Sequence, residues 1–107
     1  MAKKKINKKI IEKIHKFRET IEAAGLPVEK MVVFGSQAKG NATKDSDIDV
    51  CVVSKNFGKD DIDEMQWLWK KTRFVDTRIE PYPLSVDEFK NGFSPIVDEI
   101  RKYGVVV

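Results

Sequence analysis

Phe34-Gly35-Ser36-Gln37-Ala38-Lys39-Gly40, followed after five residues by Ser46-Asp47-Ile48-Asp49-Val50, is the stretch on which the reading of this chain turns. The apolar run Met31-Val32-Val33-Phe34 reads as a short strand stopped by Gly35, and Ile48 to Val53 reads as a second strand, with a polar loop over 35–46 between them. A Gly-Ser after a strand and before a helical turn lets backbone N–H groups approach phosphate oxygens, and the Ser36 hydroxyl adds a donor. In Asp47-Ile48-Asp49 the period of two along a strand points both carboxylates to one face and Ile48 to the other. Two hard oxygen ligands then meet one divalent cation. A phosphate cradle and a metal site thus stand side by side.

Two competing motifs fail on the letters. Gly35 and Gly40 have the spacing of a P-loop, but Asn41 and Ala42 stand where that loop needs Lys and Ser or Thr. Asp45, Asp47 and Asp49 match the first three ligands of an EF-hand, yet Val50 stands at its glycine position and Asn56 at its bidentate glutamate. Asp-x-Asp pairs in phosphatases and glycosyltransferases follow their apolar strand; here the strand follows the acids.

Outward from this stretch, Ile6, Ile10, Ile11, Ile14, Phe17 and Ile21 draw one apolar stripe on a helix that Gly25 and Pro27 end, and that helix covers a sheet. From Asp60 to about Arg73, Ile62, Met65, Leu68, Trp69 and Thr72 recur at helical spacing. Acidic residues lie in the first turn and basic ones in the last, which suits the helix dipole. Residues 74–82 read as extended, with Pro81 and Pro83 marking an edge or an ending. Ser85 and Glu88 form a capping-box pattern, Ser94-Pro95 opens another helix, Gly104 closes it, and Val105-Val106-Val107 ends the chain as a strand. The expected order is α-β-α-β-α-β-α-α-β: an α/β (α+β) fold with a small mixed sheet and helices packed against it.

The 107 residues are expected to form one domain over 1–107, too short to carry a catalytic unit plus a separate acceptor domain, so the acceptor is expected on another molecule. Hydrophobic residues make up 41% and charged residues 35%. No apolar run approaches the roughly 20 residues of a membrane span, and no secretory signal follows Ala2-Lys3-Lys4-Lys5, so the expected location is cytoplasmic. The net charge of +3 is uneven: residues 1–30 hold nine Lys/Arg against four Glu, and the rest holds eleven against thirteen Asp/Glu. Lys3, Lys4, Lys5, Lys8 and Lys9 form a cluster that reads either as an RNA or anion contact or as a solvated helix start. The lone Cys51, inside an apolar run, is expected to be a buried hydrophobe. His15 is expected at the boundary of the first helix stripe, Trp67 at the edge of the core or against a partner, and Ser46 as a brace for the loop before Asp47.

Gly-Ser-x-Ala-x-Gly followed by Ser-Asp-x-Asp and an apolar strand resembles the signature of the nucleotidyltransferase superfamily that includes DNA polymerase β and the kanamycin nucleotidyltransferases. The short chain is similar to its minimal, stand-alone branch, and the closing Glu99-Ile100-Arg101-Lys102-Tyr103-Gly104-Val105 segment extends the likeness over most of the length. The resemblance implies a polymerase β-like palm fold and transfer of a nucleoside monophosphate, AMP from ATP. It implies Gly35 and Ser36 on the β and γ phosphates, Lys39 where relatives carry Arg, and two Mg²⁺ ions, or Mn²⁺ in their place, on Asp47, Asp49 and a third acid. Glu80 is the preferred third acid from its place before the Ser85 cap; relatives more often carry Asp there, and Asp76, expected on the same strand face, is the reserve. Similar minimal domains act as antitoxins that adenylylate a tyrosine of a helical HEPN-domain toxin, which implies such a partner here. The alternative is a nucleotide-binding or partner-binding module of a two-component complex with weak or no catalysis.

Overall fold

A computed structural model describes residues 6–107. Lys3, Lys4 and Lys5 lie outside the described residues, while Lys8 and Lys9 stand exposed at the start of the first helix. The elements follow the expected order: α1 (Lys8–Ala23), β1 (Lys30–Phe34), α2 (Ser36–Lys39), β2 (Ile48–Val53), α3 (Asp61–Thr72), β3 (Ile79–Leu84), α4 (Val86–Asn91), α5 (Pro95–Tyr103) and β4 (Val105–Val106).

The local chemistry explains where the elements start and stop. The Asn7 side chain caps α1 by accepting from the Lys9 N–H at 2.8 Å. At the other end Gly25 takes φ +101°, Leu26 N–H reaches the Ile21 carbonyl and Gly25 N–H reaches Glu22, a Schellman arrangement that a residue with a Cβ would strain. Asp60 caps α3, and Ser85 with Glu88 closes a full capping box on α4.

The strands run in the order β3-β2-β1-β4, with β1 antiparallel to β2 and β4, and β2 parallel to β3. Strand alternation sorts the side chains between two cores. Met31, Val33, Ile48, Val50, Val52 and Ile79 face α1 and α3, where Ile14, Phe17, Ile21 and Leu68 are fully enclosed. Val32, Phe34, Cys51, Val53 and Leu84 face α5, whose Val97 and Ile100 cover them. With helices over both faces, β1 and β2 must be apolar at nearly every position, which is why each reads as a continuous run and not as an alternation.

Two expectations need correction. The stretch 74–82 is not extended throughout: residues 73–78 turn, and β3 begins only at Ile79. Asp76 is the hinge of that turn. Its carboxylate accepts from the Arg78 backbone N–H at 2.8 Å, an Asx-type turn that competes with a strand ladder. The α3 stripe is also split. Leu68 and Thr72 are buried, but Ile62 and Trp69 are exposed, while Trp67 packs against the larger core. Pro81 and Pro83 do mark an edge. The Ile48 and Ser54 N–H groups donate to the Arg78 and Leu84 carbonyls, so even-numbered residues of β3 face β2 and the two prolines present their missing N–H to the open side. Cys51 is fully buried, and that burial pushes its thiol up to about 12. Among the described residues no helix is long and apolar enough to cross a membrane.

Candidate active site

Each carboxylate is placed by a separate feature of the fold. Asp49 lies on β2 paired with Phe34 of β1 on one side and with Glu80 of β3 on the other. Because parallel partners in register project to the same face, Asp49 and Glu80 stand next to each other on the α5 side of the sheet. Asp47 ends the loop just before β2. Ser46 braces that loop by accepting from the Thr43 N–H at 2.8 Å, and the buried Gln37 of α2 donates to the Asp47 carbonyl at 3.4 Å.

The three acids act on one another. Glu80 is raised above the ordinary glutamate range by partial desolvation, then by the charges of Asp47 and Asp49, with hydrogen bonds to both. Asp49 is raised chiefly by burial and further by the charges of Asp47 and Glu99, against a hydrogen bond to Glu80 that lowers it. Asp76 behaves in the opposite way. Its hydrogen bonds to the Arg78 side chain, followed by its pairing with Lys13 of α1, hold it well below the ordinary aspartate range. Of the two candidate third acids, the fold brings Glu80 to the aspartates and ties Asp76 to two cations.

Gly35 joins these acids to the cradle. It adopts φ +70°, a conformation that favours glycine, and a methyl group there would overlap Oδ2 of Asp49. The start of α2 therefore lies directly against the Asp49 carboxylate. Gly35 brings no side chain to cap the helix, and the N–H groups of a first helical turn have no acceptor within the helix. Lys39, at the far end of this short helix, places Nζ 3.6 Å from Glu99 of α5 and 5.4 Å from the centre of the Tyr103 ring.

Carboxylate oxygens are the ligands that Mg²⁺ and Mn²⁺ take, and Asp49 and Glu80, paired across parallel strands and both raised by burial and further by the charge of Asp47, belong to a donor set whose mutual repulsion a divalent ion relieves. Asp47, Asp49 and Glu80 fit the group on that ground. Their oxygens do not yet surround one point: among the described residues no three His, Cys, Asp or Glu side chains are so arranged. Asp47 and Glu80 are solvent-exposed, so their rotamers can change without disturbing the core.

Comparison with known proteins agrees with this geometry. The family model described as nucleotidyltransferase domain matches residues 6–106, nearly the whole chain. The chain belongs to the nucleotidyltransferase family. Among solved structures, the crystal structure of a candidate nucleotidyltransferase from Sulfolobus solfataricus is 25% identical, covers 94% of this chain and 86% of its own, and superposes with a TM-score of 0.57. No curated protein is significantly similar to the chain. Membership of the family carries the general activity, transfer of a nucleoside monophosphate.

Beside the candidate site lie groups that the sequence reading passed over. An open cavity of about 520 Å³ adjoins Asp49 and Glu80, and its walls include Trp69, Tyr82, Ile96 and Glu99. Glu99 carried a signal: Ile96, Glu99 and Tyr103 recur at three- and four-residue spacing on α5, beside the buried Val97 and Ile100. Tyr82 shares the strand face of Glu80 by parity alone. Trp69 carried the wrong signal, since its helical spacing pointed to the core.

Proposed function

We propose that this chain, as one minimal domain, transfers AMP from ATP to a hydroxyl on a partner protein, with Asp47, Asp49 and Glu80 as the catalytic acids. The observation that carries the proposal is the contact between the start of α2 and the Asp49 carboxylate, across which Gly35 leaves no room for a side chain. A triphosphate at the α2 start has its phosphate chain beside the acids.

In this reading Gly35 and Ser36 hold the β and γ phosphates with backbone N–H groups and the Ser36 hydroxyl. Lys39 exchanges its contact with Glu99 for a phosphate oxygen. Asp47, Asp49 and Glu80 would hold two Mg²⁺ ions, or Mn²⁺ in their place. When bound, such a pair supplies charge stabilisation to both the attacking and the leaving oxygen of an in-line displacement. The acceptor oxygen attacks the α-phosphorus, the bond to the β-phosphate oxygen breaks and pyrophosphate leaves. The acceptor proton passes to a Glu80 carboxylate oxygen.

The acceptor is proposed to be a tyrosine of a helical HEPN-type toxin, with this chain as its antitoxin in the cytoplasm. The support is the likeness to minimal family members that pair with such partners. The test incubates the protein with Mg²⁺, each α-labelled nucleoside triphosphate, and either the product of the adjacent open reading frame or total RNA. The expected result is label from ATP on the partner protein, absent with Asp47→Ala. Label that persists with Asp47→Ala, or nucleotide binding with no transfer to any acceptor, overturns the catalytic reading and leaves a binding module.

A further inference from the structure

Three features of the cavity beside the acids bear on what it receives. First, α3 turns Met65 and Trp69 away from the core and over the open edge of β3, so that they form one wall of the groove. Trp69 is 61% exposed although it sits on a helix with a well-packed opposite side. Second, Tyr82 and Ile96 line the groove between that helix and α5. Third, every charged group among its lining residues is a carboxylate: Asp49 and Glu80 at one end, Glu99 on the α5 side.

We propose that this groove receives the nucleoside half of the donor, with Trp69 as the residue on which the base stacks. The proposal rests on the reading of the acids and α2 as the triphosphate site and adds where the rest of the nucleotide goes. Charge excludes the other parts of the substrate. Beyond Asp49 and Glu80, which the proposed site commits to metal, the groove offers a phosphate only the Glu99 carboxylate and no lining cation, so the triphosphate stays at α2. A base is uncharged and flat, and ribose hydroxyls are donors that carboxylates accept.

Tyr82 stands two residues beyond Glu80 on the same face of β3, about 7 Å along the strand, and lines the groove together with Trp69. A volume of about 520 Å³ holds a nucleoside, within the usual range for small-molecule sites. Stacking on an indole favours the larger purine ring system and reads no base edge, so the groove selects purine over pyrimidine more strongly than adenine over guanine.

The experiment measures binding by calorimetry in the presence of Mg²⁺, using ATP, CTP and inorganic tripolyphosphate on wild type, Trp69→Ala and Trp69→Phe. Because Trp69 is largely exposed, neither substitution removes core packing, and circular dichroism checks that each variant folds. Wild type is expected to bind ATP more tightly than CTP and CTP more tightly than tripolyphosphate. Trp69→Ala is expected to weaken ATP by about tenfold or more while leaving tripolyphosphate unchanged, and Trp69→Phe to recover most of the loss. Unchanged ATP affinity in Trp69→Ala, whether or not the acceptor KM rises, overturns the proposal and assigns the groove to the acceptor. An equal loss for ATP and tripolyphosphate also overturns it. If wild type binds neither ATP nor tripolyphosphate, the triphosphate site itself is refuted and this inference with it.

Discussion

Replacing Asp76 by alanine tests which acid completes the site, because the fold gives Asp76 a structural task that Glu80 lacks. Its carboxylate accepts from the Arg78 backbone N–H at 2.8 Å and from the Arg78 guanidinium at 3.0 Å, and it pairs with Lys13 across to α1. The Asp76 side chain is 12% exposed, whereas Lys13 and Arg78 are 38% and 31% exposed. A hydrogen bond to a charged group contributes about 1.5–3 kcal/mol when shielded. Half-exposed partners regain water when it is lost, so two such bonds at about half value give roughly 2 kcal/mol. For a chain of this size that corresponds to a fall in Tm of about 8 °C. Asp76→Asn, which still accepts from the Arg78 N–H, is expected to lose about half as much. The Asp76 pKa is depressed in the folded state, so the unfolded chain takes up the proton first as pH falls. The gap between wild type and Asp76→Ala is therefore full above about pH 4, narrows below it, and closes as pH falls through the folded pKa. Thermal melts at pH 7 and pH 3, beside a label-transfer assay at pH 7, decide the matter. Loss of transfer to the level of Asp47→Ala with an unchanged melt would refute this reasoning and make Asp76 the third acid.

Glu80→Gln is expected to show the reverse pattern: transfer falls by about 10²–10⁴-fold, while the melt without Mg²⁺ stays level or rises, because a like charge beside Asp47 and Asp49 has gone. Adding Mg²⁺ should raise the Tm of wild type by linkage and that of Asp49→Asn far less, read by differential scanning fluorimetry; equal shifts remove Asp49 from the metal site. Gly35→Ala combines a positive-φ backbone (φ 70°, ψ −149°) essentially confined to glycine, costing about 1–3 kcal/mol, with a methyl group against Asp49. Tripolyphosphate binding should be lost in this variant even at temperatures where circular dichroism shows it folded. Ser85→Ala, which opens the capping box of α4, should cost about 1 kcal/mol in urea melts and leave transfer unchanged.

The sequence by itself determined the order of the elements among the described residues, the Asp-x-Asp pair and the glycine turn before it, because each depends on neighbours within a few residues. Caps at Ser85 and Ser94 and the stop at Gly25 are local chemistry. The buried state of Cys51 was legible for a related reason: a run that is apolar on both strand faces has to be covered on both. What only the tertiary structure decided concerns contacts distant in sequence. Glu80 and Asp76 had equal standing by strand parity, until the turn at 73–78 took Asp76 to Lys13, 63 positions away, and the parallel register laid Glu80 beside Asp49. Trp69 and Leu68 were equally apolar positions on one helix. The edge of β3 turned the first towards a groove and the second into the core, since a helix lying over a sheet edge can bury only the side that meets the sheet. Glu99 joined the site because α5 crosses the face that carries Asp49, a packing relation that no spacing within the chain expresses.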